Sequence, residues 1–230
     1  MASGADLMEL GIPFSDPLAD GATLQRINQV ALERGSSFRA ALEVVSSVRS
    51  RIDVPLVLMS YYNPLLRLGN NEGFAEAVGR AGIDGVIVPD LPLEESEPLR
   101  SACRDREIDL IGMVAPTTPP ERVAAIARAA SGFVYCVSLK GVTGARQQLS
   151  TGVGDLVELV HRSTTLPAIV GFGISTPEHV RDVTSFADGV VVASALMDRI
   201  EKEPARRTEV AADFVRELKS ACRRSPQLSS

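Results

Sequence analysis

Seven short runs rich in aliphatic and β-branched residues recur along the chain, at 6–10, 56–60, 85–88, 109–114, 133–137, 168–171 and 189–193. Helical patterns separate them. Parallel strands need long crossovers, usually helices, so this alternation predicts βαβ units around a parallel sheet. Phe38, Ala41, Leu42, Val45 and Val48 form one apolar stripe at helical spacing, and Ala211, Phe214, Val215, Leu218 and Cys222 form another. Thr118-Pro119-Pro120-Glu121 and Ser175-Thr176-Pro177-Glu178 read as capping boxes with proline in the first turn, so helices are expected to begin there. A single domain is expected over 1–222, with 223–230 a disordered polar tail.

Parallel strands of this number suit an open doubly wound sheet or a barrel. Neither GxGxxG nor GxxxxGK[ST] follows the first run, and Gly171-Phe172-Gly173 is only a GxG. Polar and glycine-rich stretches instead gather after the runs, at strand carboxyl ends, where barrel enzymes build their sites. The expected fold class is therefore α/β, a TIM (β/α)8-type barrel. Its core is affordable: 45% of 230 residues are apolar.

A formal net charge of -5 supplies no basic field, which argues against nucleic acid and anionic membranes as partners. No apolar run reaches the roughly 18 residues of a bilayer span. Cys103, Cys136 and Cys222 are scattered without a CxxC, and His161 and His179 stand apart from them, so neither a disulfide framework nor a zinc site is indicated. A reducing cytoplasm is the expected setting.

The stretch from Gly4 to Gly21 carries the most chemistry. Side chains alternate along a strand, so Glu9 shares a face with Leu7 and ends the first run between apolar neighbours. Burying a carboxylate costs several kcal/mol unless it is paired or protonated, so Glu9 suits acid–base work with a raised pKa, or else an ion pair. Asp20 follows a loop stiffened by Pro13 and Pro17 and could return a second carboxylate to the same mouth. Equally, Asp16 and Asp20 could cap a helix beginning near Ala22. Glycine-rich turns at Gly141–Gly144, Gly171–Ser175 and Ala193–Ser194 could close backbone N–H groups, and a helix amino terminus at Ser194, on a phosphate.

Four segments, Met8–Gly21 (MELGIPFSDPLADG), Gly85–Glu95 (GVIVPDLPLEE), Gly141–Arg146 (GVTGAR) and Gly171–Ser175 (GFGIS), resemble in order and spacing the motifs of the tryptophan synthase α subunit family. The resemblance implies a carbon–carbon lyase of tryptophan biosynthesis, which cleaves indole-3-glycerol phosphate to indole and glyceraldehyde-3-phosphate by a retro-aldol reaction. It implies no cofactor and no metal. Glu9 matches the general acid–base and Asp20 the carboxylate that holds the indole N–H. Tyr61, Ile87, Pro89 and Tyr135 match the indole wall. Thr143 matches the loop residue that closes on the site. Gly144, Gly173 and Ser194 match the phosphate cradle, with Phe172 and Ala193 beside them as substrate-binding positions.

The same resemblance implies a pyridoxal-phosphate-dependent β subunit as partner, in an α2β2 assembly, met through Pro13, Asp16, Pro17 and Asn63. Two rivals stand beside it: a stand-alone lyase that releases free indole, and a non-catalytic chain that only docks. Ala193 departs from the glycine usual in the family. The family also carries about forty residues ahead of Gly4 with a first strand and helix, so seven of its eight strands are expected here, with weak stability as the consequence.

Overall fold

Leu56, Val57 and Leu58 are buried in succession, the pattern of a parallel strand covered on both faces. The computed structural model describes residues 3–138, 152–171 and 173–222. Expectations for Thr143, Gly144, Phe172, the turn at 141–144 and the tail at 223–230 fall outside the described residues. Two compact units are present. The first, Asp6–Gly112 with Ala130–Gly132, runs β1 (Met8–Gly11), α1 (Ala22–Glu33), α2 (Phe38–Arg49), β2 (Leu56–Met59), α3 (Tyr62–Leu66), α4 (Asn71–Ala81), β3 (Gly85–Ile87), α5 (Glu97–Arg104) and β4 (Asp109–Leu110). Its strands stand in the order β1-β2-β3-β4, all parallel.

The sheet of the second unit begins with β5 (Gly112–Val114). There follow α6 (Pro120–Ala129), β6 (Val134–Val137), α7 (Gly152–Ser163), β7 (Ala168–Gly171), α8 (Pro177–Val183), β8 (Gly189–Val191), α9 (Ser194–Lys202) and α10 (Arg207–Ala221). The order is β5-β6-β7-β8, with β6, β7 and β8 mutually parallel. The run expected as one strand over 109–114 is thus two. Asp109 and Leu110 pair with β3, and the Ile111 N–H still reaches the Val86 carbonyl at 3.0 Å, but from Gly112 the chain joins the other sheet.

Local chemistry sets the helices. The Ser37 hydroxyl accepts from the Ala40 N–H at 3.2 Å and starts α2, whose Leu42 and Val45 are buried with Phe74 and Val78 of α4 in one core. Asn70 caps α4 through the Gly73 N–H, and Gly82 ends it at φ 86, a left-handed conformation that glycine adopts without a Cβ penalty. Helices begin at both expected sites, α6 at Pro120 and α8 at Pro177. Thr176, not Ser175, caps α8 by accepting from the His179 N–H, while the Thr118 hydroxyl turns back to the Ala115 N–H at 3.0 Å.

Each unit repeats one tether below its strands. In the first, Asp84 accepts from the Leu56 N–H at 2.7 Å and from Arg49, the last residue of α2, at 3.0 Å. In the second, Asp188 accepts from the Ala168 N–H at 2.8 Å and pairs at 2.8 Å with His161 in the last turn of α7. Both aspartates precede the glycine that opens the next strand. One carboxylate therefore satisfies the first amide of a strand and holds the carboxyl end of the helix before it.

Candidate active site

Glu9 lies opposite Val57 in the β1–β2 ladder, one residue from the end of the strand's apolar stretch. Its Oε2 is shielded from solvent and has no hydrogen-bond partner among the described residues. Burial, and secondarily the charge of Asp20, push its carboxyl up to about 7.

Asp20 arrives on the loop after Pro13 and Pro17, where its N–H donates to the Pro17 carbonyl at 3.0 Å. The helix-cap reading of Asp16 and Asp20 is corrected: Gly21 is the N-cap of α1, without a side-chain bond, and the Asp16 carboxylate accepts from the Ser15 hydroxyl at 2.6 Å. The Asp20 carboxylate accepts instead from Asn28 Nδ2 at 2.9 Å. Burial raises its pKa and the Asn28 bond opposes that rise. A desolvated carboxyl near neutrality beside one held by a donor is an arrangement that can divide proton transfer from charge stabilisation.

Tyr61 follows β2 and is 4% exposed, with its ring centroid 5.3 Å from that of Phe14. Its hydroxyl accepts from the Ala19 N–H at 2.9 Å, so the residue expected as an apolar wall also anchors the loop that carries Asp20. Burial and then the Asp20 charge push the phenol up to about 12. Ile87 at the end of β3 is fully buried and Pro89 follows it half-buried, while Asp90 accepts from the Tyr62 N–H at 2.9 Å and holds the start of α3. Phe14, Asn28 and Asp90 were not singled out from the sequence. Their partners lie far along the chain or across a loop–helix junction, where periodicity gives no signal.

In the second unit, Tyr135 on β6 is 5% exposed. Gly173 stands two residues past β7 at φ 77, and Ser194 is the first residue of α9. Ala193 has φ -117, a value alanine adopts freely, so the methyl that replaces the expected glycine introduces no left-handed strain. Of the expected partner residues, Asp16 and Asn63 are exposed and Pro13 and Pro17 half-buried, and Leu18, directly after Pro17, is 91% exposed. Among the described residues no cluster of potential ligands could hold a metal, and no helix is long and apolar enough to cross a membrane.

The model of a known family, tryptophan synthase alpha chain, matches residues 1–224. The chain belongs to the tryptophan synthase alpha chain family. The family member from Chloroflexus aggregans is 53% identical over 225 residues, 97% of this chain and 84% of that one. A structure of the tryptophan synthase α2β2 complex from Pyrococcus furiosus matches at TM-score 0.86 and 40% identity, over 92% of this chain and 86% of that chain. One of tryptophan synthase from M. tuberculosis matches at TM-score 0.85 and 33% identity, over 96% and 83%. The fold class is accordingly the α/β (β/α)-barrel type of the tryptophan synthase alpha family.

Proposed function

We propose that this chain cleaves indole-3-glycerol phosphate to indole and glyceraldehyde-3-phosphate and passes the indole to a β subunit. The observation that carries the reading is the pair Glu9 and Asp20: a shielded carboxyl with an unpartnered oxygen, pushed up to about 7, beside a second carboxylate with its own donor. A group with that pKa holds a transferable proton at neutral pH. Glu9 gives the proton to indole C3, and Asp20 accepts a hydrogen bond from the ring N–H as positive charge develops there. The bond from C3 to the glycerol carbon then breaks, and its electron pair restores the aromatic ring. The hydroxyl of that carbon becomes the aldehyde and its proton returns to Glu9, so the enzyme is regenerated.

Tyr61, Ile87, Pro89 and Tyr135 form the apolar walls in this reading, while Gly173, Ala193 and Ser194 take the phosphate on backbone amides and the start of α9. The exposed loop with Asp16 and Leu18, together with Asn63, meets the β subunit, and the α2β2 complex of the Pyrococcus furiosus relative supports that partnership over a stand-alone lyase. Three cysteines, none of them in a disulfide among the described residues, suit a cytoplasmic setting. An indole-release assay of Glu9→Gln is the test: the rate should fall by about 10²–10⁴-fold, and a near-normal rate would remove Glu9 from the chemistry.

A further inference from the structure

The two carboxylates differ in what grips them. Asn28 on α1 donates Nδ2–H to Asp20 Oδ2 at 2.9 Å, whereas Glu9 Oε2 has no partner among the described residues. Three residues earlier on the same helix face, Gln25 Nε2 donates to the Asp20 main-chain carbonyl at 2.9 Å. Two amides one turn apart thus hold one residue by carboxylate and backbone. Neither belongs to a packed interior, because α1 contains no fully buried residue. From the other side the Tyr61 hydroxyl takes the Ala19 N–H.

We propose that Asn28 is the positioning residue that separates the roles of the pair, holding Asp20 ionised and in one orientation so that Glu9 is the carboxyl that carries the proton. This rests on the reading of Glu9 and Asp20 given above. A donor to the charged form favours ionisation, and the ionised Asp20 in turn opposes ionisation of Glu9. Among the described residues, the titratable groups whose charge couples to Asp20 are Glu9 from β1 and Tyr61 from the end of β2, with Asp90 acting on Tyr61. Loss of the amide should let Asp20 keep its proton to higher pH and make the two carboxyls compete for it.

The pH dependence of kcat/KM for indole release by the full chain tests this in Asn28→Ala and Asn28→Asp. The acid limb should move to higher pH in Asn28→Ala, with a roughly tenfold loss on that limb and a smaller one at the optimum, in line with the loss of one charge-assisted hydrogen bond. Asn28→Asp sets a third carboxylate against Asp20 and should move the limb further, and its near-identical shape keeps the test valid if the alanine variant proves unstable. Unchanged profiles, or an equal loss at every pH, would overturn the proposal. Asp20→Asn separates it from its premise: wild-type rates in that variant would refute the underlying reading. An inactive Asp20→Asn beside unmoved Asn28 profiles would refute the role of Asn28 alone.

Discussion

A Cβ added to Gly171 would fall inside the van der Waals envelope of Oη, Cζ and Cε1 of Tyr135. The ring fills the space a side chain at Gly171 would take, across neighbouring strands, with Tyr135 opposite Ile169 and Val137 opposite Gly171 in the register. The absent side chain at the end of β7 is therefore what lets the phenol occupy its place.

Gly171→Ala should drive the ring from this position, because the added Cβ would lie 2.0–2.5 Å from Oη, Cζ and Cε1 of Tyr135, and so large a displacement is unfavourable in a close-packed interior. We expect kcat/KM for indole release to fall at least tenfold and stability to fall by about 1–3 kcal/mol. The atoms that clash are the distal ones, so Tyr135→Leu should remove most of the cost of Gly171→Ala. A double-mutant cycle that gave additive effects would contradict this contact.

Glu9 makes a prediction about stability as well as rate. Its folded pKa of about 7 lies above the ordinary 4.5, so the fold favours the protonated form. Below about 4.5 the group is protonated in both states and the full contribution is present. That contribution is lost as pH rises through about 7, up to about 3 kcal/mol and less after allowance for its partial exposure. Glu9→Gln should therefore raise the unfolding temperature above pH 7 and flatten its dependence between pH 4.5 and 7, while it loses cleavage activity. An unfolding temperature that fell in parallel with wild type across this window would refute the buried, unpaired carboxyl.

Glu9 was legible in the sequence because strand alternation, together with a charge between apolar neighbours, marks a residue that is costly to place there. The division at Ile111 was not, since a six-residue run from Asp109 to Val114 has the length of a single strand and does not show where the chain leaves one sheet for another. Asn28 escaped for another reason. Its bond spans eight residues across a loop and a helix start, and an asparagine on a helix with no fully buried residue reads as solvated surface. Asp20 left two readings open, and the cap reading fails because the glycine at position 21 takes the cap itself.

Ala193 gives a prediction of near neutrality. Its φ of -117 requires no glycine, so Ala193→Gly should change the KM for a phosphate substrate by less than about twofold and lower stability by about 0.5–1 kcal/mol through a more flexible unfolded chain. If Gly173 and Ser194 hold the phosphate, glycerol phosphate or sulfate should slow amide exchange at 173–175 and at 193–194 in both proteins. A large gain in affinity on the glycine substitution would show that the methyl does obstruct the ligand.

Asp84 carries the last prediction. Two bonds meet on its carboxylate, and they differ in worth: the pair with Arg49 joins side chains 31% and 42% exposed, whereas the bond from the Leu56 N–H serves the first residue of a buried strand. An exposed ion pair contributes about 0–1 kcal/mol, but an amide left unpaired at a buried strand costs about 1–3 kcal/mol. Asp84→Asn keeps a side-chain oxygen for that amide and surrenders only the charge, so it should cost less than about 1 kcal/mol in denaturant unfolding. Asp84→Ala removes both bonds and should cost about 2–4 kcal/mol, and Asp188→Ala, which frees the Ala168 N–H in the same way, should fall in the same range. High salt should shrink the effect of Asp84→Asn and leave that of Asp84→Ala mostly intact, since screening acts on the ion pair and not on the amide bond. Equal costs for the asparagine and alanine variants would mean that the charge with Arg49, and not the strand's first amide, is what the aspartate holds.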